Sequence, residues 1–161
     1  MPPALRGFKM VEKFLTGGDK LMKKLEEISQ KMGGGAVEIG FMENATYPNG
    51  TQVAAVAFWN EFGHMGKAPA PPRPFFRNMI SKESTSWGSK MAGLAKATDY
   101  DGKRVLGMMG KDIRDALEQS IRDFTTPGLA DSTIKRKGFS KPLIDTTTMV
   151  NAPDFRVVGA E

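Results

Sequence analysis

The amino-acid sequence predicts an α+β fold, a small mixed or antiparallel sheet packed by several helices. Two segments, 36–42 and 155–158, alternate apolar with polar or small residues at the period of two that a half-buried strand requires. Leu106, Met109, Ile113, Leu117, Ile121 and Phe124 recur every three to four residues between them, the cleanest helical stripe in the chain. With 161 residues, 40% of them hydrophobic and 25% charged, the chain is expected to be one domain over 1–161 that can bury a core.

Taken in order, Leu5, Phe8, Val11 and Leu15 make a first amphipathic turn or two, which Gly17-Gly18 interrupts. Residues 1–18 are therefore expected to form a flexible N-terminal arm. Asp19 is placed to cap a helix carrying Leu21, Leu25, Ile28 and Met32 on one face and lysines on the other, packed on its own domain. Gly33-Gly34-Gly35 ends it. Val37, Ile39 and Phe41 then point one way along the first strand, and 43–50, rich in Asn, Pro and Gly, is a loop.

Thr51 is placed to cap a helix through Val53, Val56, Ala57 and Asn60, although alternation through Val53, Ala55, Ala57 and Trp59 fits nearly as well. Alanine density favours the helix. Beyond it, Gly63 and Gly66 are free to take unusual backbone angles, while Pro69, Pro71, Pro72 and Pro74 fix φ and remove donors. Pro71-Pro72-Arg73-Pro74 is thus a stiff extended strap into a helix striped by Phe76, Ile80, Glu83, Trp87, Met91 and Leu94. Gly88 and Gly93 should bend or shorten its second half.

Asp101 caps the helix of the long stripe, Lys111 with Asp115 and Glu118 with Arg122 stand at favourable spacing, and 125–128 stops it. Asp131 or Ser132 caps a short helix into Lys135, Arg136 and Lys137, which Gly138 ends. Asp145 or Thr146 caps a further turn through Met149 to Ala152, and the last strand follows Pro153 and pairs with the first.

Two blocks carry a resemblance. Asn60-Glu61-Phe62-Gly63 followed by Pro72-Arg73-Pro74-Phe75-Phe76-Arg77, and Ser132-Thr133 with a basic run leading to Pro142-Leu143-Ile144-Asp145-Thr146, resemble the small neck proteins of long-tailed bacteriophages, the tail-completion or head-tail joining family. The family usually continues that Asp-Thr with glycine, where this chain has Thr147. The resemblance runs from about Val53 to Val158 and adds to the case for a helix at Val53. It implies a structural virion protein whose copies join head-to-tail into a hexameric ring between portal and tail tube, with loops or an arm used in ring assembly. Other neck proteins and the tail tube would be its partners, and genomic DNA would pass through without specific binding. Tail terminator and head-closure protein are neighbouring roles in the same neck.

The net charge of +5 permits an anionic partner, and a nucleic-acid-binding protein is the alternative of a different class. The densest basic cluster, Lys135, Arg136, Lys137 and Lys141, is also what a solvated helix C-terminus prefers. In a ring through which DNA slides, a lumen rich in phosphate contacts would hold the genome, so these bases are expected at subunit contacts or outside.

No catalytic, cofactor or metal site is expected. Gly107-Met-Met-Gly110-Lys111-Asp112 lacks both the first glycine and the Ser or Thr of a phosphate loop. Asp145-Thr146-Thr147 has no matching carboxylate for a protease dyad, and His64, the only histidine, has no ligand set around it. Cysteine is absent, which excludes thiolate chemistry. With neither a membrane-length apolar run nor a signal-peptide core, the protein is expected to be made in the host cytoplasm and to reside in the virion, and Asn44 and Asn49 to be turn residues rather than glycan sites.

The residues expected to make subunit or partner contacts are Trp59, Glu61, Arg73, Phe75, Arg77, Lys135, Arg136 and Lys137. Among the aromatic side chains, Phe62 and Phe76 are expected in the core, and Trp59, Phe75 or both are expected to be only partly covered.

Overall fold

The computed structural model describes residues 7–66, 69–144 and 147–160, with side chains from Gly17 onward. The order is α1 (Gly7–Met32), β1 (Ala36–Phe41), α2 (Val53–Phe62), α3 (Phe75–Ala97), α4 (Gly102–Asp123), α5 (Asp131–Lys137) and β2 (Pro153–Val158). The fold is α+β. β1 and β2 pair antiparallel from Ala36 opposite Val158 to Phe41 opposite Pro153, joining the two ends of the chain as the alternation predicts. Arg156 extends this pairing on the open side, reaching its register partner Glu38 at 2.6 Å and Glu43 at 3.2 Å.

α4 is the spine. Its N-cap Asp101 accepts from the Arg104 N–H, and Val105, Met109, Ile113, Leu117 and Ile121 form one buried face along it. The Lys111 ammonium meets Asp115 at 3.1 Å, and Arg122 donates to Asn151 Oδ1. Around this face close Phe75 and Met79 of α3, Val53 and Ala57 of α2, and Met149 and Val150 ahead of β2. Ser120 Oγ ties the spine to the start of α3 by donating to the Phe75 carbonyl at 2.7 Å. The glycines at 107 and 110 lie within this helix, as the failed phosphate-loop pattern requires. Gly110 has a packing reason: a Cβ there would stand 2.3 Å from the Phe155 ring and 2.7 Å from Val37 Cγ2. The absent side chain is what lets the helix lie close against the sheet.

Several local expectations are corrected. α1 runs unbroken through Gly17, Gly18 and Asp19, so Gly17-Gly18 is not an interruption and Asp19 is not a cap. Two exposed glycines weaken a helix by about 1 kcal/mol each, a cost that a run of 26 residues tolerates. From Gly7 onward the expected arm is helix; residues 1–6 lie outside the described ones. α1 also fails to pack along its length: Leu21, Met22 and Leu25 are exposed. It is seated at its last turn, where the Met32 carbonyl occupies the space a side chain on Gly102 would need and Lys31 pairs with Asp99. Gly33, at φ +56, ends it there.

The second half of α3 is likewise uninterrupted through Gly88 and Gly93. Of the expected stripe, Phe76, Trp87, Met91 and Leu94 pack against the core while Ile80 is exposed, and the fully buried positions are the neighbouring Phe75, Met79 and Ala95. α2 is helical, but Gln52, not Thr51, precedes it, and α5 begins after Ala130, so neither Asp131 nor Ser132 is its N-cap. Gly138 ends α5 in the left-handed conformation, as expected. The 43–50 loop is closed on itself, with Tyr47 N–H donating to the Thr51 carbonyl and Gly50 N–H to Tyr47. Asp145 and Thr146, the expected caps of the next turn, lie outside the described residues. The turn is present, closed by Asn151 N–H on the Thr147 carbonyl, and Thr147 adopts φ +59, where a glycine would sit without strain.

The Gly110 contact yields a sharp expectation. Gly110→Ala should lower unfolding free energy by about 1–3 kcal/mol through overpacking, although alanine is the better helix former. Urea unfolding followed by circular dichroism measures it; an unchanged or raised midpoint would mean that helix and sheet do not meet at this position.

Candidate functional site

The Asn60-Glu61-Phe62-Gly63 block and the proline strap form one hydrogen-bonded lock. α3 starts after Pro74, which has no side-chain acceptor to offer the free N–H groups of the first turn. Glu61, from the end of α2, supplies the acceptors instead. Its carboxylate takes the N–H of Phe76 at 2.9 Å, the N–H of Arg77 at 3.2 Å and Arg77 Nε at 2.8 Å. Arg77 Nη2 returns the favour by donating to the Glu61 carbonyl at 3.0 Å, near the end of α2. Pro74 makes an inverse γ-turn, φ −77° and ψ 58°, in which Phe75 N–H reaches the Arg73 carbonyl at 2.8 Å. Arg73 N–H in turn donates to the Asn60 carbonyl at 2.7 Å. Gly63 permits the reversal: at φ +73 its position would put a Cβ 2.7 Å from the Ala70 carbonyl.

This lock sets which face of α2 is buried. Val53, Ala57 and Glu61 lie inward at four-residue spacing. Phe58, Trp59 and Phe62 are consequently turned out, 59%, 51% and 51% exposed. Phe62 is therefore not core, contrary to expectation. Its ring packs on Phe58 at 4.8 Å between centroids and lies under the Arg77 guanidinium at 4.8 Å. Phe75, 1% exposed, is fully core and meets Phe41 edge-on, so of the pair Trp59 and Phe75 only Trp59 is partly covered. Phe76 is half-buried against the core. Beside the exposed rings lies an apolar cavity of about 270 Å³ lined by Phe58, Phe62, Phe75 and Phe76, with Glu61 and Arg77 its charged members.

The remaining expected contact residues separate. Glu61 and Arg73 are buried, at 5% and 8% exposure, so both are recessed rather than displayed on the surface. Lys137 turns inward: its ammonium donates to the Ile144 carbonyl at 2.6 Å and lies over the Phe139 ring. Lys135 and Arg136 are exposed. Arg73, Arg136 and Lys137 line a common groove between the strap and α5, and burial pulls the Arg73 guanidinium below its ordinary pKa. Phe58 is not among the expected contact residues, and Leu21 and Leu25 of α1, expected to pack on the domain, are exposed; no apolar periodicity marks Glu61 as the inward position that turns the rings of α2 outward.

His64 is exposed and bridges to Ala70 through backbone hydrogen bonds. Among the described residues no group of three or more His, Asp or Glu is placed to hold a metal ion, and no helix is long and apolar enough to cross a membrane. No family model, curated protein or solved structure matches this chain.

The lock predicts an order of mutational costs. Glu61→Gln removes the charge and one acceptor from a buried cap and should cost about 2–3 kcal/mol. Arg77→Ala, whose side chain is open to solvent, should cost about 1 kcal/mol or less. Chemical denaturation of both variants tests this, and a costlier Arg77 variant would mean that the ion pair, not the capping, holds α3.

Proposed function

We propose that this protein is a structural subunit of a bacteriophage neck, a tail-completion or head-tail joining protein. Its copies associate head-to-tail into a closed ring, a hexamer by the resemblance, between portal and tail tube, and DNA passes through the channel. The observation that carries the assembly role is the aromatic face of α2. Phe58, Trp59 and Phe62 are adjacent on one helix end and each is at least half exposed. Large aromatic side chains beside an arginine have the composition of an interface anchor. The exposed Leu21, Met22 and Leu25 of α1 supply a second apolar surface on the same chain, so that one copy has two different faces to offer its neighbours. The resemblance of the two sequence blocks supplies the neck and the virion; tail terminator and head-closure protein are variants of the same role.

Mass by light scattering across concentration, with negative-stain images taken with and without tail tubes, tests this reading. Rings are expected, free or at tube ends. Trp59→Glu and Phe58→Glu should abolish them while changing monomer stability by only about 0.5 kcal/mol, as for other surface substitutions. A monomer that ignores tail tubes and binds duplex DNA with a steep salt dependence through Lys135 and Arg136 would replace this reading with the nucleic-acid one.

A further inference from the structure

Among the described residues, Arg73 is a buried charged group with no counter-charge beside it. Its side chain is nine-tenths buried, and it donates only to neutral oxygens at long range, Nη1 to Asn60 Oδ1 at 3.3 Å and Nη2 to the Gly128 carbonyl at 3.5 Å. Nε is buried with no hydrogen-bond partner at all. The single carboxylate of the block, Glu61, is committed to Arg77, which is the more exposed of the two arginines. A buried guanidinium without a counter-charge is costly, and proteins rarely leave one unless the counter-charge arrives from elsewhere.

The groove that Arg73 lines has room for it. Its volume is about 1090 Å³, at the upper end of what small-molecule sites enclose and suited to a length of polypeptide. Three cations line it, Arg73, Arg136 and Lys137, and no aspartate or glutamate does among the described residues. Lys137 is engaged by backbone carbonyls, and Arg136 stands exposed on the rim.

We propose that this groove receives a carboxylate-bearing peptide segment of a partner protein, and that Arg73 pairs with the carboxylate. The weakly held Nη1 and Nη2 are the two donors that a carboxylate accepts side by side. A flexible acidic side chain can reach a recessed guanidinium. The phosphates of a duplex are fixed on a broad rod and reach only the exposed cations of the rim. The groove lies on the strap side of the lock, and the proposal stands whether or not the protein belongs to a phage neck.

The test uses the isolated full chain, with no tail tubes, and follows the arginine Nε–H resonances by NMR. The probes are the peptide acetyl-Gly-Glu-Gly-Glu-Gly-amide, its glutamine counterpart, inorganic phosphate and a short DNA duplex. The glutamate peptide should shift the Arg73 resonance saturably and the glutamine peptide should not. Arg73→Met should weaken peptide binding, read on the neighbouring backbone amides, by about thirtyfold or more. Arg136→Glu, on the exposed rim, leaves the fold intact and should weaken it severalfold at low salt. Equal shifts with both peptides, no shift with the glutamate peptide, or a saturable Arg73 response to phosphate or duplex alone would overturn the proposal.

Discussion

The Glu61 carboxylate is the constraint on which the rest of the site depends. A helix that begins after proline leaves its first amides without a local acceptor, and α3 must begin there because the strap is held extended by its prolines. The acceptor comes from the end of the preceding helix, and Arg77 closes the exchange on the Glu61 carbonyl. Each helix thus satisfies backbone groups of the other. A charged side chain normally kept at the surface becomes the inward-facing residue of α2, and two consequences follow from helical geometry alone. The aromatic residues of that turn face solvent, and the strap, pinned by Arg73 N–H on the Asn60 carbonyl, folds the Arg73 side chain inward.

The lock is only as rigid as what it rests on, and that is α4. The spine meets α3 through its apolar face, and the sheet approaches near Gly110, where no side chain intervenes. Gly102 does the same for the end of α1. At both glycines a close backbone approach replaces side-chain packing, so small changes there propagate into the placement of whole elements. The turn before β2 completes the enclosure with Met149 and Val150, even though Thr147 holds a left-handed conformation that costs a β-branched residue.

What the sequence made legible is what apolar periodicity encodes. The α4 stripe has six regularly spaced members, and the strands alternate cleanly and are bounded by glycine and proline, so these elements and their pairing could be read directly. Gly17-Gly18 looked like a break because glycine lowers helix propensity, yet the flanking residues propagate the helix across it. The burial of α2 was illegible for a different reason: no periodicity of apolar residues announces a core position held by a carboxylate. Its partners, the amides of Phe76 and Arg77, lie fifteen and sixteen residues away and meet it only after the strap has turned. The basic cluster shows the same limit. Adjacent Lys135, Arg136 and Lys137 look alike in sequence, and only the fold distinguishes the one that holds the Ile144 carbonyl from the two that face solvent.

Local choices elsewhere in the chain agree with one another: Asp101 caps, Gly33 and Gly138 terminate, and the spine buries one face. Against that consistency two departures stand out, a half-exposed aromatic surface on α2 and a buried cation without a counter-charge beside the strap. Neither stabilises the isolated chain, since the first leaves apolar area in water and the second removes a charge from it. They arise from one lock but face different sides of it, and they ask for chemically different partners, one apolar and one acidic. Two unfavourable sites flanking the most constrained segment of the chain are the pattern expected when those sites are completed by association. That is the physical argument for an assembly protein, and it would hold even without the resemblance.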